Sequence, residues 1–413
     1  MLSEDVKEKI AEQLVDRIEE LNATILEEIG NTLKYMGTLT PSQAYKIIQD
    51  LKYGGSYQKI IKKLAEVSKL NEKEIYKIFE EIAKDDQNFA KQFYKFRKID
   101  FIPYNRNKEL KDQVRAIAKI TADQYANLMK TSAFMTIKNG KKVYTPLSKV
   151  YQETLDKAVL DIAQGKESYQ QAINRTIQEL AESGIQTVDY ASGYHKRLDS
   201  AVRMNVLDGI RDLSNTLQQQ FGEEYKADGV EISVHMNPAP DHADIQGRQF
   251  SNKKENGKPS DWERLQNGER VKDYSGVYRQ LEHSKNGGYR PISEYNCYHY
   301  IFSIVLGVSK PEYSQKQLDE INKKNTDGFD FEGKHYTLYE GTQLQRQIET
   351  KIRKLKDKHI GAVAVGDMDE AGNCQRKIGQ LSSKYNQLAK ASGLSTKYDR
   401  TQVKGYKEIK NMI

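Results

Sequence analysis

Residues 14–29 read LVDRIEELNATILEEI. Leu14, Ile18, Leu21, Ile25 and Ile29 recur at three- and four-residue spacing. An α-helix completes a turn every ~3.6 residues, so this spacing aligns all five on one face and leaves charged residues on the other. The stretch is therefore read as a helix with one apolar stripe turned inward. The same texture extends over roughly the first 225 residues. Thr40-Pro41-Ser42-Gln43 has the make-up of a helix start, with a capping hydroxyl, proline in the first turn and a glutamine to reach back. Ile47, Ile48 and Leu51 follow as its apolar face, and Gly54-Gly55 ends it. Asn71 and Glu74 open the next helix in the same way, ahead of Ile75, Ile78, Phe79 and Ile82.

Residues 99–110 read as a connection, and long helices resume near 111. Asn139-Gly140, between TIK and KKVYT, is a tight-turn signal. Gly165 and Gly184 mark helix ends. Val188 to Gln220 reads as helical again, with Leu198, Val202, Val206, Ile210 and Leu213 in phase. Near 226 the pattern changes. Val230, Ile232 and Val234 alternate with polar residues, as in a strand. Residues 237–294 are rich in Gly, Asn, Pro and Ser and read as loops and short strands. Periodicity does not decide between helix and strand for 296–306. Ser314 to Gln317 forms another capping box, and Gly328 and Gly333 frame a hairpin. Leu344, Ile348, Ile352 and Leu355 then mark an amphipathic helix, and a last helix covers about 370–392.

The expected fold is mainly α with a smaller α+β module. Four regions follow: a helical N-terminal region (1–110), a long-helix region (111–225), a loop-rich α+β module (226–311) and a basic helical C-terminal region (312–413). Hydrophobic residues make up 37% and charged residues 30%, which suits a soluble, helix-rich chain. No run approaches the roughly 20 apolar residues of a membrane span. The best candidates, YIFSIVLGV (300–308) and IGAVAVG (360–366), are too short, and the acidic start carries no apolar leader. Synthesis in the cytoplasm is expected. Two cysteines do not make a disulfide framework. The net charge is +7, and residues 342–413 alone, with fifteen Lys and Arg against seven Asp and Glu, carry +8. Arg346, Arg353, Lys354, Lys356 and Lys358 lie in that region and are candidates for a phosphate-bearing or acidic partner.

Chemistry-bearing residues concentrate in Val234–Arg248, VHMNPAPDHADIQGR, joined fifty residues later by Tyr295–His299, YNCYH. Three of the seven histidines (His235, His242, His299) and one of the two cysteines (Cys297) fall there, with Asp241 and Asp244 beside them. These types can bind zinc, but neither the H-x6-H nor the C-x-H spacing matches a zinc-finger or HExxH pattern. A polar cluster that pins loops together is the leading reading. Zinc and a thiol nucleophile are the alternatives. Pro238, Pro240 and Gly247 set the backbone path, and Trp262 anchors the segment. No phosphate-binding GxxxxGK[ST] or GxSxG occurs. Asp367-Met368-Asp369-Glu370 lacks EF-hand spacing and favours the start of the following helix through its dipole.

PAPDHADIQGRQFS (238–251) and YNCYHYIFSIVLGVSKPEYS (295–314) resemble the signature of the phage minor capsid protein 2 family, which is similar in style to MuF-like head proteins. His235, His242, Gln246, Gly247, Asn296, Cys297 and His299 are the matching positions. VDYASG (188–193), DSAVR (199–203) and QLQRQIETKIRKLKDK (343–358) extend the likeness. Tyr298 stands where the pattern has arginine, and Ile245 where it has an aromatic. The resemblance implies a structural protein of the virion, made in the host cytoplasm and placed near the portal or the inner head surface. It implies the portal protein, the major capsid protein and packaged double-stranded DNA as partners, with no membrane, no catalysis and no required cofactor. Two other readings remain at this stage. One is an internal virion protein that holds DNA through the basic C-terminal region. The other is a metal-dependent nuclease or toxin-like enzyme in 226–311.

Overall fold

The computed structural model describes residues 4–36, 55–68, 72–138, 140–163, 169–188, 194–240, 242–243, 245–251, 263–266, 269–273 and 299–409. The helices are α1 (Glu4–Met36), α2 (Gly55–Ser68), α3 (Glu72–Arg97), α4 (Lys108–Lys130), α5 (Leu147–Ala163), α6 (Tyr169–Ser183), α7 (Leu198–Glu224), α8 (Gln315–Asp327), α9 (Leu338–Val365) and α10 (Met368–Ser392). The chain is mainly α with small antiparallel sheets, as its periodicity predicts.

The strands β1 (Ser132–Lys138), β2 (Lys141–Pro146), β3 (Gln186–Val188) and β4 (His195–Arg197) form a sheet in the order β2-β1-β3-β4. A second sheet has the order β8-β7-β6-β5-β9, from β5 (Gly229–Ile232), β6 (Gln249–Ser251), β7 (Glu263–Gln266), β8 (Glu269–Asp273) and β9 (Ile301–Ile304). The hairpin β10 (Phe329–Phe331) and β11 (Lys334–Tyr336) precedes α9. Among the described residues no helix is long and apolar enough to cross a membrane.

α1 is more deeply enclosed than one stripe implies. Besides Leu14, Ile18, Leu21, Ile25 and Ile29, the polar Glu19, Asn22 and Thr32 are buried on it. The reason is its position: α9, α7, α2 and α6 all pack around it. A Cβ on Gly30 would come within 2.7 Å of the Ala364 Cβ, so α1 and α9 cross closely there. One apolar core joins Ala11 on α1 through Phe79, Val114, Phe134, Ile177 and Phe221 to Ile304 and Val403, and so runs through all four sequence regions.

Several local signals hold. Ser314 caps α8 with a full capping box to Gln317, and Asp367 caps α10 by accepting from the Glu370 amide at 3.0 Å. The turn around Gly140 joins β1 to β2, and Gly184, at φ +58°, ends α6. The segment 296–306 resolves, over Ile301–Ile304, as a strand beside β5. Others change. The Glu74 carboxylate takes two hydrogen bonds from Arg17 on α1, at 3.0 and 3.2 Å, and Asn71, the other half of that helix start, lies outside the described residues. The helical reading that starts at Val188 begins instead at Leu198. Gln186–Val188 pairs with the edge of β1, and His195–Arg197 then pairs with β3. The Thr40–Leu51 helix, Gly165 and Trp262 lie outside the described residues.

Candidate functional site

The loop between β5 and β6 carries the first half of the sequence signature, and the entry to β9 carries the second. Because both strands flank β5 in one sheet, residues fifty positions apart become neighbours. His299 stands at the centre. Its ring meets that of His235 edge to face, with centroids 4.6 Å apart and planes at 89°. It meets His242 in the same way, at 5.1 Å and 83°. Gln246 links the group: its Oε1 accepts from the His235 backbone amide at 2.8 Å and lies 3.2 Å from His299 Nε2. With that oxygen accepting, His299 carries its proton on Nε2. His242, Gln246 and His299 are almost fully enclosed, at 2%, 1% and 3% exposure, and His235 is half-buried.

The backbone explains why the loop holds this shape. The amides of Ile245 and Gln246 donate to the His242 carbonyl, turning the chain so that Gln246 points back toward His235. Gly247 follows at φ +66°, in the left-handed region that glycine enters without strain. Its amide donates to the Ile232 carbonyl at 2.9 Å and returns the chain to the sheet. The site is closed from outside by α8. Asn322 Nδ2 donates to the Ala243 carbonyl at 2.7 Å, and Asn325 Nδ2 to that of Pro238 at 3.2 Å. Asn325 Oδ1 in turn accepts from the Tyr339 amide in the first turn of α9. Arg248 donates to the Gln315 side chain.

The structure thus brings His235, His242, Gln246, Gly247 and His299 together. Asp241, Asp244, Asn296, Cys297 and Tyr298 lie outside the described residues. Among the described residues no three His, Cys, Asp or Glu groups are arranged to hold a metal ion. Sequence reading missed the asparagines of α8. An asparagine on a polar helix reads as solvated, and only a buried neighbour with backbone carbonyls to satisfy reveals its role.

The basic row on α9 is arranged differently from its expected solvent-facing pattern. Arg346 is exposed and Lys354 half-exposed. Arg353 is 4% exposed and lies 3.3 Å from Asp199, with Nη1 donating to the Arg400 carbonyl at 2.6 Å. Lys356 is also buried and donates to the Thr401 carbonyl at 2.7 Å. Lys358 pairs with Glu370 at 2.6 Å. Arg353 and Lys356 are used inside the fold and Lys358 in a half-buried ion pair to α10, because α1, α10 and α6 all pack on α9.

The site is thus a set of buried imidazoles packed on each other and on an amide, in loops clamped by a helix. The chain belongs to the phage minor capsid protein 2 family, whose model matches residues 2–390. It is similar to a structural protein of Lactococcus phage LL-H, 24% identical over 265 residues. That match covers 62% of this chain and 62% of the relative, so it spans less than two thirds of the relative's length. No solved structure matches the chain. The protein is a structural protein of a phage.

Proposed function

We propose that this chain is a minor component of the phage head, assembled near the portal or against the inner capsid surface, where it binds the portal protein, the major capsid protein or both. The observation that supports this reading is the way the signature residues are used. His235, His242, Gln246 and His299 fasten two loops and, through Asn322 and Asn325, couple them to α8 and α9. Such an arrangement stiffens a scaffold and needs neither a bound cofactor nor catalysis. A metal-dependent enzyme in the same module would need three ligands around an open coordination position.

The test is fractionation of purified virions into heads and tails, with the chain followed by mass spectrometry, together with crosslinking of intact heads. The expected result is recovery in the head fraction at low copy, with crosslinks to portal or shell subunits. Recovery in tails alone, or crosslinks confined to tail proteins, would overturn the placement.

A further inference from the structure

The hairpin β1–β2 extends past the sheet that it belongs to. β3 pairs only with Ser132 and Ala133, whereas β1 and β2 pair with each other out to Lys138 and Lys141. Residues beyond Phe134 therefore pair only with each other; the Met135 amide still donates to Ser183 Oγ at 2.9 Å, and beyond Thr136 the strand residues Ile137 and Lys141 to Val143 are exposed, a ribbon end about 7 Å long at ~3.3 Å per residue. The hydroxyls of Thr136 and Thr145, 2.9 Å apart, tie the strands together near its base. Lys138 pairs with Lys141 at the last register position of the ribbon, and Lys141 and Lys142 are exposed. From Gln124 to Gln152 the sequence has five lysines (130, 138, 141, 142 and 149) and no acidic residue. The carboxylates that approach the ribbon base, Glu153 and Glu179, line a small pocket under Thr136 with Lys157, which pairs with Glu179 at 3.4 Å.

We infer that this ribbon is a contact site for double-stranded nucleic acid. An exposed cationic tip, on a stretch of chain from Gln124 to Gln152 that carries no acidic residue, matches a polyanion, whose phosphates attract lysines with release of counterions. The duplex major groove, about 12 Å wide, admits a two-stranded β-ribbon. Single strands are held chiefly by stacking on rings, and residues 136–143 contain no aromatic side chain. The contact is sequence-independent. It also stands apart from the head placement proposed above, which fractionation tests separately.

The measurement is fluorescence anisotropy of the full chain with a labelled duplex of about 30 base pairs, at about 50 and 200 mM salt. Wild type binds at the lower salt and weakens steeply at the higher. The K138Q/K141Q/K142Q variant is expected to bind about tenfold or more weakly, with a log–log salt slope shallower by about 2 to 3. An R346Q/K351Q/K354Q variant on α9 serves as the control and retains binding. If the triple ribbon variant loses its helical circular dichroism, K142Q alone reads the same effect, with a slope shallower by about 0.9. Absence of wild-type binding, or equal binding by the ribbon variants, overturns the inference. So does displacement of the duplex by polyglutamate at equal charge, which would point to an acidic protein instead.

Discussion

Gly247 shows how one residue holds the candidate site in shape. At φ +66° a side chain is strained, and an added Cβ would come within 2.5 Å of Leu318 Cδ2 and 2.6 Å of Val234 Cγ2. Gly247→Ala combines a left-handed backbone cost with overpacking, so a loss of about 2 to 4 kcal/mol is expected in urea unfolding. A loss below about 0.5 kcal/mol would mean that the loop relaxes freely. His299 tests the chemistry of the cluster. If the rings fasten loops without zinc, a strong chelator leaves Tm unchanged, while His299→Ala lowers it. A chelator-induced fall of more than about 5 °C would instead make a metal part of the folded state.

Elements here are delimited by caps that can be read locally. α9 begins at Thr337, whose hydroxyl accepts from the Glu340 amide at 3.1 Å while the Glu340 carboxylate accepts from the Thr337 amide at 2.9 Å. These hydrogen bonds hold the Glu340 carboxyl below its usual range. Thr337→Ala is expected to cost about 1 kcal/mol in chemical denaturation, with the fold retained. α9 ends at Gly366, φ +81°, where the chain reverses into α10. The buried thiol of Cys374 on α10 is pushed up to about 11 by burial and then by Glu370, so it resists alkylation in the native state.

At the scale of the whole molecule, a buried ionic network joins α1, the start of α7, α9 and the C-terminal segment. Arg197 donates to Asp199 at 3.3 Å and to Asp357 at 3.1 Å, and Asn22 donates to Asp357 at 3.0 Å. Burial alone would raise the Asp199 carboxyl. Arg197, Arg353 and Arg203 outweigh it and hold Asp199 well below the usual carboxylate range. Glu19 behaves in the opposite way. Burial, followed by repulsion from Asp199, pushes it up to about 8 despite Arg353. A carboxyl raised in the native state binds a proton more tightly there than in the unfolded chain, so its favourable contribution is lost as pH rises from about 4.5 toward 8. Glu19→Gln should therefore flatten the stability profile over that window and gain roughly 1 kcal/mol or more over wild type at pH 9. Parallel profiles for the two proteins would show that Glu19 titrates normally.

Helical character, the capping box at Ser314, the Asp367 start and the turn at Gly140 were legible in the sequence alone. Each rests on spacing or on the conformational preference of one or two residues, and such preferences act locally. Which face a helix buries is decided by its neighbours. Arg353 and Lys356 have the spacing of a solvated row, yet they lie inside because α1, α6, α10 and the segment at Arg400 enclose α9. Gln186–Val188 became a strand because an edge of β1 was there to pair with it. The asparagines of α8 acquired their role from carbonyls about eighty residues away. Burial and pairing depend on segments distant in the chain, so only the tertiary structure decided them.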